Sequence, residues 1–193
     1  MPLEKQFDVD EGLDKAMQVF WERGYDATSV QDLVDRTGIN RGSLYATYGD
    51  KRALFLAALA RYDETIRRQT LAEIEAQCAP RKAVRRVFEI FAEPAMDGRP
   101  ARGCLLVNSA LELAPHDREV SQLVANSQSQ IEAFFARMIV AGQAQGDIPA
   151  HIDPTAVAAG LLASLQGLIV LTRSRPEAEL LNAIVDDAER RLG

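Results

Sequence analysis

The sequence predicts an all-α protein of about nine helices, an N-terminal three-helix head of the helix-turn-helix type followed by a helical body. Three observations predict it. Apolar residues recur at helical spacing in almost every segment, and no run alternates with the period of two that marks a strand. Glycines and prolines punctuate those segments, at Gly24, Gly38, Pro80, Pro115, Pro154 and Pro176. Residues 28–52 carry two helix caps and a tight turn at the spacing of two short helices.

In the first element Leu13, Ala16, Met17, Phe20 and Trp21 follow the i, i+3, i+4, i+7, i+8 pattern, and Gly24 closes it. Ser29 with Asp32 three residues on forms a capping box. Val30, Leu33 and Val34 share one face of the helix that follows. Gly38 stands where a helix end wants a positive φ. Asn40 then caps a third helix, Arg41 to about Thr47. With Ile39 and Leu44 these residues make a small core. In a helix-turn-helix the second helix of the motif enters the major groove. The predicted function class is therefore sequence-specific DNA binding, with the motif at about 29–48 in a head spanning 1–52.

Residues 51–77 read as one long helix, with Leu54, Phe55, Ala58, Leu59, Tyr62 and Ile66 on its buried side. At 1.5 Å per residue it spans roughly 40 Å, enough to join the head to a separate body at 53–193. After Pro80 a helix runs to about Met96, with Val84, Val87, Phe88 and Phe91 on one face. Residues 97–103 form a loop, and a short helix from Cys104 to Ala114 ends at Pro115. Asp117 caps a long helix to about Gly142, whose apolar positions include Val120, Val124, Ile131, Phe134, Phe135 and Met138. A loop at 146–153 leads to Asp153 and Pro154, an N-cap and an N1 proline, and the helix they open runs to about Ser174. Pro176 precedes the last helix, where Leu180, Leu181, Ile184, Val185 and Ala188 line up.

Residues 155–172 carry no charge, and a run of ~18 such residues approaches the length of a membrane span. The run contains Thr155, Ser164, Gln166 and Thr172, lacks aromatic belts and stands alone, so it reads as a buried helix and no membrane partner is expected. Gly160, Ser164 and Gly167 let another helix approach it closely.

The net charge of −6 argues against a protein that coats nucleic acid indiscriminately. Residues 36–52 carry four basic side chains (Arg36, Arg41, Lys51, Arg52) against Asp50, a local net of +3, where the motif needs it. Asp10, Glu11, Asp14 and Glu22 on the first helix are expected to face away from phosphate. The first ten residues lack the apolar run of a signal peptide. Cys78 and Cys104 are too few for a disulfide framework. The expected location is the bacterial cytoplasm. With only His116 and His151, no His-x-x-x-His pair, no glycine-rich phosphate loop and no nucleophile elbow, no catalytic, cofactor or metal site is expected.

The head resembles the TetR family of bacterial transcriptional regulators. The resemblance rests on the apolar-striped first helix, on Thr28-Ser29-Val30, on Gly38-Ile39, on 42–48 (Gly42-Ser43-Leu44-Tyr45-Ala46-Thr47-Tyr48) and on Asp50-Lys51, and it covers roughly residues 10–60. Residues 102–108 (Arg102-Gly103-Cys104-Leu105-Leu106-Val107-Asn108) are similar to a segment of one branch, whose members respond to small or reactive molecules. The family resemblance implies a homodimer formed by the last two long helices, here within 155–192. It also implies a small-molecule effector bound in the body, which moves the connecting helix and releases DNA.

A two-fold dimer expects a near-palindromic operator in double-stranded DNA. Asn40, Arg41, Gly42 and Ser43 open the recognition helix and are the candidates for base contact. Arg41 is suited to guanine O6 and N7, or alternatively to phosphate. Thr28, Ser29, Thr37 and Tyr48 are hydroxyl donors suited to phosphate oxygens. The resemblance implies the same of Tyr45, and Lys51 sits at a positive helix end that favours phosphate. Candidate effector contacts are Phe88, Phe91, Met96, Cys104, Asn108, Leu111, Phe134, Phe135 and Gln166, with plain core packing the alternative for the phenylalanines. Cys104, at a helix start near Arg99 and Arg102, reads either as a thiol of lowered pKa or as plain pocket or core lining. Some members of that branch sense electrophiles or oxidants through this cysteine, which makes a thiol-switched repressor an alternative, although the 154–174 helix holds no lysine to partner the thiol. An activator on the same scaffold is the other alternative.

Overall fold

The computed structural model describes residues 8–99 and 101–193. Residues 1–7, on which most of the signal-peptide reading rests, and Pro100 of the 97–103 loop lie outside the described residues.

Every described regular element is helical, and there are nine. The head holds α1 (Val9–Arg23), α2 (Val30–Thr37) and α3 (Arg41–Tyr48). The fourth, α4, is continuous over 51–77, but its middle, Asp63–Arg68, is π-helical rather than α-helical. Then come α5 (Pro80–Met96), α6 (Leu105–Glu112), α7 (Arg118–Ala144), α8 (Pro154–Ser174) and α9 (Ala178–Arg190). The short α6 is trimmed at both ends relative to expectation. Cys104 is its extended N-cap residue, and the chain leaves α-geometry at Leu113, before Pro115.

The caps form as the sequence expects. Ser29 and Asp32 close both halves of their capping box, Asn40 accepts from the Ser43 N–H, and Asp50, Asp117 and Asp153 cap α4, α7 and α8. Gly38 ends α2 in the left-handed region at φ 73°.

The head core is Ala16, Met17, Phe20, Leu33, Ile39 and Leu44 against Leu54 and Phe55 of α4. Phe55 takes Phe20 and Tyr25 edge-on at 5.1 and 5.0 Å. In the body α5, α7, α8 and α9 pack around Val84, Val87, Phe88, Val124, Phe134, Phe135, Ile139, Leu161, Leu165, Leu168, Leu181 and Val185. α4 joins the two, lying on α1 at its start and on α6 and α7 further along.

α8 is long and apolar enough to cross a membrane by length and composition, with a mean hydropathy of 1.8. Leu161, Leu165, Leu168 and Ile169 on one side of it are buried within the chain. The opposite side, Ala156, Ala159, Ala163, Gly167 and Val170, is exposed, small and uncharged.

Candidate nucleic-acid interface and cavity

The N-terminal end of α3 stands clear of the protein. Asn40, Arg41 and Gly42 are exposed and Ser43 is half-buried. The Asn40 carboxamide is held by its cap, accepting from the Ser43 N–H at 2.9 Å. The Arg41 guanidinium lies over the Tyr45 ring at 5.4 Å and has no carboxylate partner among the described residues. The Lys51 ammonium lies 4.2 Å from the Tyr25 ring centroid, which fixes its side chain beside the start of α4 without neutralising it. Ser29 is exposed at the start of α2.

The exposed Ser29 hydroxyl donates to the Asp32 carboxylate at 2.6 Å within its capping box, and three other hydroxyls expected at phosphate are committed to backbone carbonyls. Thr28 is fully buried and donates to the Gly24 carbonyl at 2.6 Å. Thr37 is buried, donates to the Leu33 carbonyl at 2.7 Å and accepts from the Ile39 N–H at 3.1 Å. Tyr48 donates to the Val9 carbonyl at 2.9 Å, tying α3 to the start of α1. All three hold the motif's shape. A buried hydroxyl must find a partner, and the nearest carbonyls in the turns claim these.

The body encloses a cavity of about 290 Å³ between α4, α5, α6, α7 and α8. Of the candidate effector contacts, the fold brings Phe91, Cys104 and Gln166 to its wall. It places the others elsewhere. Phe88, Phe134 and Phe135 are fully buried in the body core, with Phe135 tilted against Phe88 at 6.0 Å and edge-on to Phe134 at 5.8 Å. Leu111 is 71% exposed. Asn108 accepts from Arg173 at 3.0 Å outside the cavity, and Met96 lies near the end of α5, off its wall. Helical spacing fixes which residues point inward but not which inward residues fail to meet, so the core and the cavity read alike in sequence.

The wall also holds residues that the sequence reading passed over. Trp21 reaches it from the head, with its indole N–H donating to the Gly103 carbonyl at 3.0 Å and its ring edge-on to Tyr62 at 4.9 Å. Arg67, 9% exposed, pairs with Asp63, 7% exposed. The guanidinium donates to both carboxylate oxygens, and its Nη2 also reaches Gln130 at 2.7 Å. Ser127 and Arg68 donate to Asp63 at 2.6 and 3.0 Å. Burial pushes the Asp63 carboxyl up, and the donors from Arg67, Ser127 and Arg68 outweigh it, leaving the carboxyl below its ordinary range. The signal was legible: Phe55, Leu59, Asp63 and Arg67 follow one another at i+4, so the charged pair falls on the buried stripe of α4.

Cys104 corrects a second expectation. It lies at the N-cap of α6, yet burial raises its thiol pKa, and the Tyr62 hydroxyl and nearby backbone N–H groups only partly oppose that. The arginines named for it are engaged elsewhere, Arg99 with Asp97 at 2.8 Å and Arg102 with Glu22 at 3.0 Å and Gln18 at 2.7 Å. Cys78 is half-buried. Alkylation near neutral pH is therefore expected to be at least about ten-fold slower at Cys104 than at Cys78, followed by peptide mass spectrometry. Faster modification of Cys104 would restore the reactive-thiol reading.

Head and body are joined by polar ties. Glu112, at the end of α6, accepts from the Tyr25 and Asp26 N–H groups at 3.1 and 2.7 Å. Gly24 makes room for it: the backbone there has φ 82°, and a Cβ would stand 2.9 Å from the Glu112 carboxylate. Arg52 donates to Asp117 at 2.6 and 2.8 Å and to Glu119 at 2.7 Å. The Arg52 bonds hold the Asp117 carboxyl down to about 2. A carboxyl depressed in the fold contributes fully above about pH 4 and loses that contribution as pH falls through about 2. The stability of Asp117→Asn, read by denaturant titration at a series of pH values, is accordingly expected to vary less across that window than that of the parent.

Comparison with known proteins agrees with this arrangement. The family model described as bacterial regulatory proteins, tetR family, matches residues 13–58, and the tetracyclin repressor-like C-terminal domain matches residues 80–186. An uncharacterized HTH-type transcriptional regulator of Bacillus subtilis, YezE, is 34% identical over 94% of this chain and 94% of its own. The HTH-type transcriptional repressor ComR of Escherichia coli is 34% identical over 93% of this chain and 86% of its own. A cysteine mutant of the TetR family regulator CifR, complexed with 26-bp double-strand operator DNA, superposes with a TM-score of 0.82 at 31% identity over 97% of both chains. With both halves matched in order, and an exposed recognition helix set ahead of a helical body, the chain belongs to the TetR family of transcriptional regulators.

Proposed function

We propose that the chain is a homodimeric transcriptional repressor that releases its operator when a small molecule enters the cavity. The observation that carries this is Trp21: a residue of the DNA-binding head forms part of the wall of the cavity in the body. A ligand that fits one position of the indole better than the other shifts the head relative to the body, which is what differential affinity requires. The same movement pulls on Gly103, Arg102 and Glu112, each bonded to α1 or to the turn after it.

On DNA, Asn40, Arg41, Gly42 and Ser43 face base edges, while Ser29, Tyr45 and Lys51 face phosphate. The operator complex of the CifR mutant supports this use of the head. The exposed Ala156, Ala159, Ala163, Gly167 and Val170 face of α8, with α9 beside it, is the surface through which two copies pair within 155–192, and the pair reads a near-palindromic double-stranded site. The protein acts in the bacterial cytoplasm.

A mobility-shift titration on the DNA flanking its own gene tests the reading, and saturable, sequence-dependent binding is expected. Glu112→Ala is expected to keep operator affinity within about three-fold while weakening ligand-driven release by about ten-fold, because the tie between α6 and the head is cut. Unchanged release in that variant would remove Glu112 from the route.

A further inference from the structure

We infer that the cavity takes an uncharged, largely apolar molecule of about two-ring size that carries a hydrogen-bonding oxygen. The inference rests on the cavity being the effector site and adds the chemical class of the effector.

Size comes first. A cavity of 150 Å³ holds benzene. At about 290 Å³ this one has room for roughly twice that.

Charge comes next. Among the described residues no aspartate or glutamate lines the wall, so a cation entering the cavity finds no carboxylate there. The two cationic wall residues are already matched, Arg67 by Asp63 and Arg102 by Glu22. An anion would have to compete with Asp63 for the same guanidinium and would lose its water in a mostly apolar enclosure, which is costly without a full set of partners. The buried pair therefore presents Arg67 as a hydrogen-bond donor whose charge is already spent.

Polarity comes last. Thr70, Gln128 and Gln166 reach the wall, and their side chains make no hydrogen bond among the described residues. Polar side chains over an apolar wall orient a ligand through a few hydrogen bonds. Thr70, Gln128 and Gln166 line the cavity from α4, α7 and α8, and the donors that their hydroxyl and carboxamides carry suit a carbonyl, ether or hydroxyl oxygen on the ligand.

Calorimetric titration of the full chain at neutral pH with three probes on one scaffold tests the class: acetylnaphthalene, naphthoate and naphthyltrimethylammonium. The ketone is expected to saturate one site per chain and to bind at least about ten-fold more tightly than either charged probe. Leu162→Trp, which fills the cavity from α8, is expected to abolish that heat. Gln128→Leu with Gln166→Leu is expected to weaken the ketone about ten-fold while leaving plain naphthalene unchanged. Equal or tighter binding of naphthoate or the ammonium overturns the class, and so does failure of all three to bind. Operator release is read separately by mobility shift. If the ketone binds selectively but leaves the operator complex intact, the class stands and the effector reading falls. If naphthoate alone frees the operator, the effector reading stands and the class falls.

Discussion

Asp63→Ala is expected to destabilise the fold by about 3–5 kcal/mol, the largest effect of any single polar substitution in the chain. The reason is asymmetry. The Asp63–Arg67 pair itself contributes little, because removing two charges from water offsets most of their attraction. Taking away the carboxylate alone leaves the charge of a guanidinium that is 9% exposed unmatched, while Ser127, which donates to that carboxylate at 2.6 Å, keeps the Leu123 carbonyl at 3.0 Å. For a chain of this length such a loss lowers Tm by roughly 10 °C, read by circular dichroism. Asp63→Ala combined with Arg67→Leu is expected to recover most of the deficit, since no charge is left buried. If the single substitution costs less than about 1 kcal/mol, Arg67 has found water, and the cavity wall is wetter than the matched pair implies.

Arg41→Ala is expected to weaken operator binding by about 1–3 kcal/mol per recognition helix, and a two-fold dimer carries the substitution twice. A loss of at least about thirty-fold follows. Its signature is as important as its size. A base contact predicts that discrimination relaxes at one symmetric pair of positions while the salt dependence stays the same. Lys51→Ala is expected to do the reverse, weakening all sequences alike and making the salt slope shallower. Competition titrations at several salt concentrations, against operators changed one base pair at a time, separate the two. Uniform weakening by Arg41→Ala would make Arg41 a phosphate contact.

The head was legible almost residue by residue because it is built from local rules. A capping box, a glycine at φ 73° and an asparagine cap are set within three or four residues of the groups they satisfy. The same locality explains the misreadings there. Thr28, Thr37 and Tyr48 are hydroxyls of the right kind in the right motif, but each already donates to a backbone carbonyl, of Gly24, Leu33 and Val9 respectively. In the body, α8, read as a buried helix, exposes Ala156, Ala159, Ala163, Gly167 and Val170, whereas periodicity identified the inward faces of α4, α5, α7 and α9. It could not divide Phe91, at the cavity, from Phe88, three residues earlier and fully buried in the core. That division depends on how helices distant in sequence cross. Trp21 was assigned to the head's own packing, and only the tertiary arrangement carries it to the body. Cys104 was judged by its neighbours in sequence, whereas its pKa is set first by burial.

The π-helical turn at Asp63–Arg68 has a geometric consequence for the whole lever. A regular α-helix advances about 100° per residue, and a turn closed at i+5 instead of i+4 absorbs one additional residue. The half of α4 before the turn, which meets the head, and the half after it, which meets the cavity through Thr70, Leu71 and Ile74, are thus out of phase by about one residue's rotation. Deleting one residue from that turn would leave a straighter and regular helix with Thr70, Leu71 and Ile74 still facing the cavity, whereas deleting one from the regular turn after it would swing Ile74 away while the head kept its seat. A one-residue gap at Asp63–Arg68 in an alignment of relatives therefore preserves the cavity lining, and a gap later in the helix marks a change of lining, and with it of chemical repertoire, made without altering the DNA-reading end of the molecule.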